Sequence, residues 1–505
     1  MTCDYVTDDA LAKRRSAAIL GPHLSHFGKG GGGQNESRHR IGYSRPPAQR
    51  PPLSQYPKTR QFAPNLTFHF PQLRFRTASG TCPVTRSIRG LKPGAQVTLG
   101  SLAGPSLCGG VRRRSRSSVE MQHSCSARPA SVYYSPVIRR LYVHNFRCLE
   151  NFELPISGQS SALLIGNNGA GKTTVGLVLE ILQRIARGTN RVGDLVKSKD
   201  FARGRTDVPM RFEIEVELGA KIYEYVIALE FPKGFKELRV LDEKLAVGGK
   251  PLYTRKMAQV HLARTGQEKE ATFSMDWHLV ALPIVQEQSP KDPLFVFKQW
   301  LARMLILRPM PSLILGDSKQ ETLQPNLQVT DFGAWFSGLL AYAPAAYTKI
   351  DEYLKQVMPD LKDIKNPVTG ADSRSLVVQF SNDPGSVNVP FEDLSDGEKC
   401  FMICAMVLAA NDAYGPLLCF WDEPDNYLAP SEVGHFVLAL RKAFQSGGQF
   451  IATSHNLEAI RRFSDENTLI LHRKNHLEPT IIRPLKDLKV SGDLVSALVR
   501  GDVEP

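Results

Sequence analysis

The segment Gly166-Asn167-Asn168-Gly169-Ala170-Gly171-Lys172-Thr173, followed by Thr174, restricts this chain more than any other. It fits G-x-x-x-x-G-K-[ST]. The apolar run Ser161–Ile165 precedes it, and residues 173–187 follow with Val175, Val178, Leu179, Leu182 and Ile185 at helical spacing. A strand, a glycine-rich loop and a helix in that order place backbone N–H groups and a helix N-terminus around an anion. The context predicts a phosphate-binding loop over residues 166–174 within an α/β domain. Lys172 is expected to reach the outer phosphates of a nucleotide, and Thr173 to hold Mg²⁺.

Three further motifs follow in order. Leu417-Leu418-Cys419-Phe420-Trp421 is an apolar strand that ends in Asp422-Glu423-Pro424. Asp422 is placed to hold Mg²⁺ and Glu423 to take a proton from an attacking water. On its own an Asp-Glu pair after a strand is a common surface turn; beside a phosphate loop it gains meaning. Leu394-Ser395-Asp396-Gly397-Glu398-Lys399 has the spacing of a helix capping box, Ser395 with Glu398. The same residues, Ser395 and Gly397 included, can face a phosphate at a helix N-terminus. Thr453-Ser454-His455 lies just after another apolar strand, and His455 stands 32 residues beyond Glu423, placed to sense a terminal phosphate.

The remaining pattern is that of a mixed α/β domain beginning near Val137. Residues 138–146 read as a strand. Residues 211–218 and 223–231 alternate around Gly219-Ala220, a hairpin signature, and 237–247 reads as a third strand. Between 252 and 390 the pattern is broken by prolines; 293–307, 332–342 and 345–358 look helical and 375–380 looks extended. After 394, helix and strand alternate, which points to a parallel sheet covered by helices. We read 137–505 as one domain, with 252–390 as a helical lid inserted between its two lobes.

Residues 1–130 differ. They carry 20 Lys and Arg against five Asp and Glu, whereas the rest of the chain carries 43 against 45. The formal net charge of +13 therefore belongs to this segment and is no argument that the body binds a polyanion. Rich in Arg, Ser, Pro and Gly and without periodicity, it reads as a disordered basic extension. It fits a nucleic-acid or membrane-surface tail, a targeting extension, or a stretch outside the natural protein whose start is Met121; the last is the expectation favoured here. The eight cysteines show no zinc spacing, and Cys400 and Cys404 read as small buried hydrophobes. No apolar run reaches the ~18–20 residues of a membrane helix. A cytoplasmic chain without a membrane partner is expected.

Taken together, the four motifs resemble the ABC-class P-loop ATPases. Residues 394–399 look like the signature motif, 425–429 like the D-loop and His455 like the switch histidine. Within the class the resemblance is to the RecF, SMC and OLD-like branch, including the bacterial AAA-type ATPases. It is carried by Asn145-Phe146-Arg147, Asp422-Glu423-Pro424, Leu428-Ala429-Pro430 and Thr453-Ser454-His455-Asn456. It implies an ABC-type head with a mixed or parallel sheet between helices, an antiparallel β subdomain, and ATP and Mg²⁺ as ligands. It also implies a homodimer that closes on ATP, with Ser395 of one copy facing the nucleotide of the other. The signature departs from the transporter form, and no glutamine is placed as a Q-loop residue.

Lys172 and Ser395 are 223 positions apart, and the stretch between them lacks the unbroken heptads of an SMC arm, so a compact lid fits better. Only 50 residues follow His455, fewer than a nuclease domain needs, so a nuclease or other effector is expected to be a separate protein. The leading expectation is an ATP-dependent switch acting with DNA or an effector in DNA repair or defence against foreign DNA. The ATPase subunit of an ABC transporter is the alternative, and an ATP-binding regulator with little turnover is a third.

Overall fold

The computed structural model describes residues 137–263, 271–382, 384–463 and 466–488. The expectations for the basic extension and for a start at Met121 lie outside these residues.

Two large sheets form most of the described domain. The central one has six strands in the spatial order Leu305–Leu307, Leu418–Trp421, Gln449–Thr453, Ser161–Ile165, Thr468–His472, Ile481–Pro484. The first five run parallel and the last antiparallel. Every residue of Ser161–Ile165, Leu418–Trp421 and Gln449–Thr453 is buried. Continuous apolar strands of this kind need cover on both faces, and alternate side chains find it. Ala162, Leu164, Leu418, Phe420 and Ile451 join the core beneath the Lys172–Ala186 helix. Leu163, Ile165, Cys419, Trp421, Phe450 and Ala452 join the core under the Asp396–Tyr414 and Pro430–Gln445 helices. Gly176 sets the first contact: a Cβ there would stand 2.4 Å from the Phe420 ring. The helix after the phosphate loop thus lies directly on the strand that ends at Asp422.

The second sheet is antiparallel and eight-stranded, in the order Phe152–Glu153, Val137–His144, Met210–Leu218, Lys221–Glu230, Arg239–Val247, Lys250–Lys256, Gln259–Leu262, Ala271–Ser274. Met210–Leu218 alternates strictly between buried and half-buried residues, as one covered face requires. Its expected hairpin forms, with Gly219 and Ala220 both at positive φ (55° and 62°), the geometry of a tight two-residue turn. The Pro293–Arg303 helix covers the sheet, with Phe297 stacked on Tyr223 at 5.8 Å.

A buried ionic cluster staples a loop to this sheet. Glu243 and Arg255 are both fully buried, 3.6 Å apart. Glu243 accepts from Tyr225 Oη (3.1 Å), Tyr253 Oη (2.9 Å) and the N–H groups of Ala281 (2.7 Å) and Leu282 (2.9 Å). Arg255 donates to the carbonyls of Met257, Leu279 and Asp276. Burial pushes the Glu243 carboxyl up and the Arg255 guanidinium down.

The segment 252–390 is not uniformly helical. Its expected start at 252 falls inside Lys250–Lys256, and the antiparallel sheet continues through two more strands. Helices do form at Phe332–Tyr342 and Ala346–Val357, but a three-stranded sheet follows at Leu361–Lys365, Val377–Asn382 and Gly385–Pro390. Residues 305–307, read as the end of a helix, instead form the edge strand beside Leu418–Trp421. A three-residue apolar run has no period of its own. The helix stops at Arg303, and Met304 turns the chain into extended geometry (φ −51°, ψ 141°).

Cys148, Cys400, Cys404 and Cys419 are buried free thiols, and burial pushes Cys400 up to about 12. No helix among the described residues is long and apolar enough to cross a membrane.

Candidate functional site

The parallel strands end in one cleft. Ser161–Ile165 runs into the glycine loop, where Gly166, Gly169 and Gly171 have φ of 144°, 82° and 104°. Close approach also requires two of these glycines. A Cβ on Gly166 would meet the Leu471 carbonyl at 2.1 Å, and one on Gly171 would meet Cys148 Sγ at 2.9 Å and Thr480 Oγ1 at 3.0 Å. Thr480 Oγ1 donates to the Ala170 carbonyl at 2.9 Å, and Cys148 Sγ lies 3.6 Å from Thr174 Oγ1. The loop is therefore shaped from outside by two segments distant in sequence.

Asn168, Gly169, Gly171, Lys172, Thr173 and Thr174 line the cleft, together with Glu423. Gly166, Asn167 and Ala170 belong to the same loop but not to its lining; Ala170 points its methyl into the core. Lys172 is 6% exposed and donates to the Gly166 carbonyl at 2.7 Å. Burial lowers its pKa, and Glu423 and Asp422 oppose that shift. The ammonium thus senses both acids of the adjoining strand end.

Asp422 is 7% exposed. Its N–H donates to the Leu307 carbonyl at 2.8 Å, so the edge strand that sequence reasoning missed anchors it. Its Oδ1 accepts from Thr453 Oγ1 at 2.7 Å, while Oδ2 accepts from no described residue. Glu423 adopts φ 53°, a left-handed conformation unusual for a side-chain-bearing residue. Its Oε2 accepts from Asn426 Nδ2 at 2.6 Å, and its Oε1 lies 3.6 Å from His455 Nε2. Burial and then Lys172 push the His455 pKa below 6.5, against the pull of Glu423 and Asp422.

The donor set suits a hard divalent cation. The Thr173 hydroxyl and the Asp422 carboxylate offer oxygen donors, and among the described residues no group of three or more His, Cys, Asp or Glu could hold an ion. Mg²⁺ is commonly held this way, by one or two protein oxygens with water and substrate phosphates completing its shell.

Ser395 and Gly397 do not join this cleft. The capping box forms: Ser395 Oγ accepts from Glu398 N–H at 3.3 Å, and the Ser395 N–H donates to Glu398 Oε2 at 2.7 Å. Ser395 is exposed at the start of the Asp396–Tyr414 helix, and Gly397 faces the Tyr427 carbonyl.

One lining residue carried no recognisable signal: Arg473 lines the cleft together with Arg147, the last residue of the Asn145-Phe146-Arg147 motif. Arg147 Nε donates to Asp200 Oδ1 at 3.0 Å, and Asn145 fixes the preceding turn through the Arg205 and Val208 carbonyls. Arg473 donates to the carbonyls of Glu478 (2.8 Å) and His476 (2.6 Å). An arginine in a hairpin looks like any solvated charge until the hairpin is folded against the loop.

Residues 137–274 match the family model described as "AAA ATPase domain", and residues 290–461 match the one described as "AAA domain, putative AbiEii toxin, Type IV TA system". None of the curated proteins matches the chain. Among solved structures, the chain is similar to an Smc head bound to the C-winged helix domain of ScpA, with 14% identity and a TM-score of 0.42 over 69% of this chain and 99% of that one. It is also similar to the SMC head domain from Thermotoga maritima, with 13% identity and a TM-score of 0.36 over 69% of this chain and 98% of that one.

Proposed function

We propose that this chain, which matches AAA-type ATPase models over residues 137–274 and 290–461, is a RecF/SMC-like P-loop ATPase that hydrolyses ATP and uses it to close a homodimer that acts with DNA or a separate nuclease or effector, in DNA repair or defence against foreign DNA. One observation carries the hydrolytic part: Lys172 of the glycine loop and Glu423 line one cleft, Asp422 acts electrostatically on Lys172, and Glu423 is held between Asn426 and His455. Backbone N–H groups of 166–174 and Lys172 grip the phosphates. Thr173 and Asp422 would hold Mg²⁺, which would supply charge neutralisation at the phosphoryl oxygens. Glu423 orients the water and accepts its proton. His455, beside Glu423, can donate a hydrogen bond toward the terminal phosphate.

Support for the dimer comes from Ser395. Its hydroxyl and helix N-terminus stand exposed, outside the cleft of their own chain, so a second copy is needed to bring them to a nucleotide. The solution mass of Glu423→Gln, with and without ATP and Mg²⁺, tests this. A shift from monomer to dimer is expected on adding both; an unchanged mass would sink the sandwich. Lys172→Ala is expected to abolish both the shift and tight ATP binding.

Arg473 supplies a second check on the cleft. Its guanidinium is held by carbonyls in the lining of the cleft that this reading gives to ATP. Arg473→Ala is expected to weaken ATP binding about tenfold, or ~1.4 kcal/mol, in a fluorescence titration. Unchanged affinity would place the nucleotide elsewhere in the cleft.

A further inference from the structure

Two carboxylates that work together must each be held in one rotamer, and an acid at a strand end has no packing to hold it. Thr453 supplies the restraint. It ends the Gln449–Thr453 strand, which lies between the strand carrying Asp422 and the strand feeding the glycine loop. Thr453 is fully buried. Its single hydroxyl donates to Asp422 Oδ1 at 2.7 Å and accepts from the Glu423 N–H at 2.9 Å. A hydroxyl can do both at once, and no other side chain of that size can. The first bond turns Asp422 so that Oδ2 is left for a ligand. The second anchors the Glu423 peptide in its left-handed conformation (φ 53°).

Ser454 continues the pattern. It is buried, donates to Asp425 Oδ2 at 2.8 Å and accepts from the Asn456 N–H at 2.8 Å. Asp425 is itself 4% exposed. Three consecutive residues therefore meet the acids of the neighbouring turn: Thr453 meets Asp422 and Glu423, Ser454 meets Asp425, and His455 meets Glu423.

We infer that Thr453 is a positioning residue for hydrolysis, whose hydroxyl sets the metal-holding carboxylate and the general base together, while Ser454 locks the turn that follows them. This rests on the ATPase reading above. Valine keeps the shape of threonine and removes the hydroxyl; serine keeps the hydroxyl and removes a methyl. ATP affinity is measured by calorimetry with EDTA and with Mg²⁺, and turnover is measured in parallel. Thr453→Val is expected to bind ATP normally in EDTA, to lose most of the gain in affinity that Mg²⁺ confers on the wild type, and to lose kcat about 10–100-fold with little change in KM. Thr453→Ser is expected to restore both the Mg²⁺ response and kcat.

If the wild type shows no turnover, the ATPase reading fails. If the wild type turns over and Thr453→Val equals it in kcat and Mg²⁺ response, only the positioning role is overturned. A serine variant as impaired as the valine variant overturns it too, because the hydroxyl would then not be the acting group. Circular dichroism melting checks folding. Should the valine variant not fold, Thr453→Ala takes its place, and equal kcat in the alanine and serine variants overturns the role.

Discussion

Glu423→Gln is expected to bind ATP at least as tightly as the wild type and to hydrolyse it about 10²–10⁴-fold more slowly. The amide has the shape of the carboxylate and can still accept from Asn426 Nδ2, now 2.6 Å from Glu423 Oε2. It cannot take a proton from water. The phosphate grip is untouched, since the loop backbone and Lys172 supply it. Removing a negative charge that acts on Lys172 also lessens repulsion of the polyphosphate. The loss of Glu423 also removes a force that raises the His455 pKa. Binding and turnover should therefore separate cleanly. A phosphate-release assay beside an ATP titration decides it, and turnover at the wild-type rate would remove Glu423 from the role of base.

Glu243→Ala is expected to destabilise the domain by about 3–5 kcal/mol, the usual cost of leaving one partner of a buried ion pair uncompensated. Arg255 would remain fully buried with only carbonyl partners. Two tyrosine hydroxyls and the N–H groups of Ala281 and Leu282 would lose their acceptor. Each such buried group costs free energy when unpaired. Glu243→Gln keeps an acceptor at the site and should lose less. Denaturant melts of the three proteins test the ordering. A loss below about 1 kcal/mol for alanine, the range of an exposed pair, would mean that water reaches the cluster. ATP binding per folded molecule should not change, as the cluster lies outside the cleft.

The chemistry was more legible than the architecture around it. Gly166–Thr174, Asp422, Glu423 and His455 stood out because each motif is a run of adjacent residues at the end of an apolar strand. The strands Ser161–Ile165, Met210–Leu218 and Lys221–Glu230 were legible for a related reason: their burial follows a simple pattern. Leu305–Leu307 was not, since three apolar residues suit a helix end as well as a strand. The region after 252 was misjudged as helical because its short strands bury few residues, so no run of alternating apolar residues marks them.

What the amino-acid order decides here is local: a loop with positive φ at glycines, a helix behind it, a capped helix at Ser395, and acids at the ends of buried strands. These need only neighbouring residues, and backbone preference with hydrophobic period is enough to specify them. The folded chain alone decides who meets whom. The parallel strands lie in the order 305, 418, 449, 161, 468 rather than in chain order. That order puts the Thr453 hydroxyl on Asp422, Thr480 under the glycine loop and Arg473 at the cleft. Contacts between residues 31 or 310 positions apart depend on sheet register and on the packing of two cores, and no local pattern encodes them.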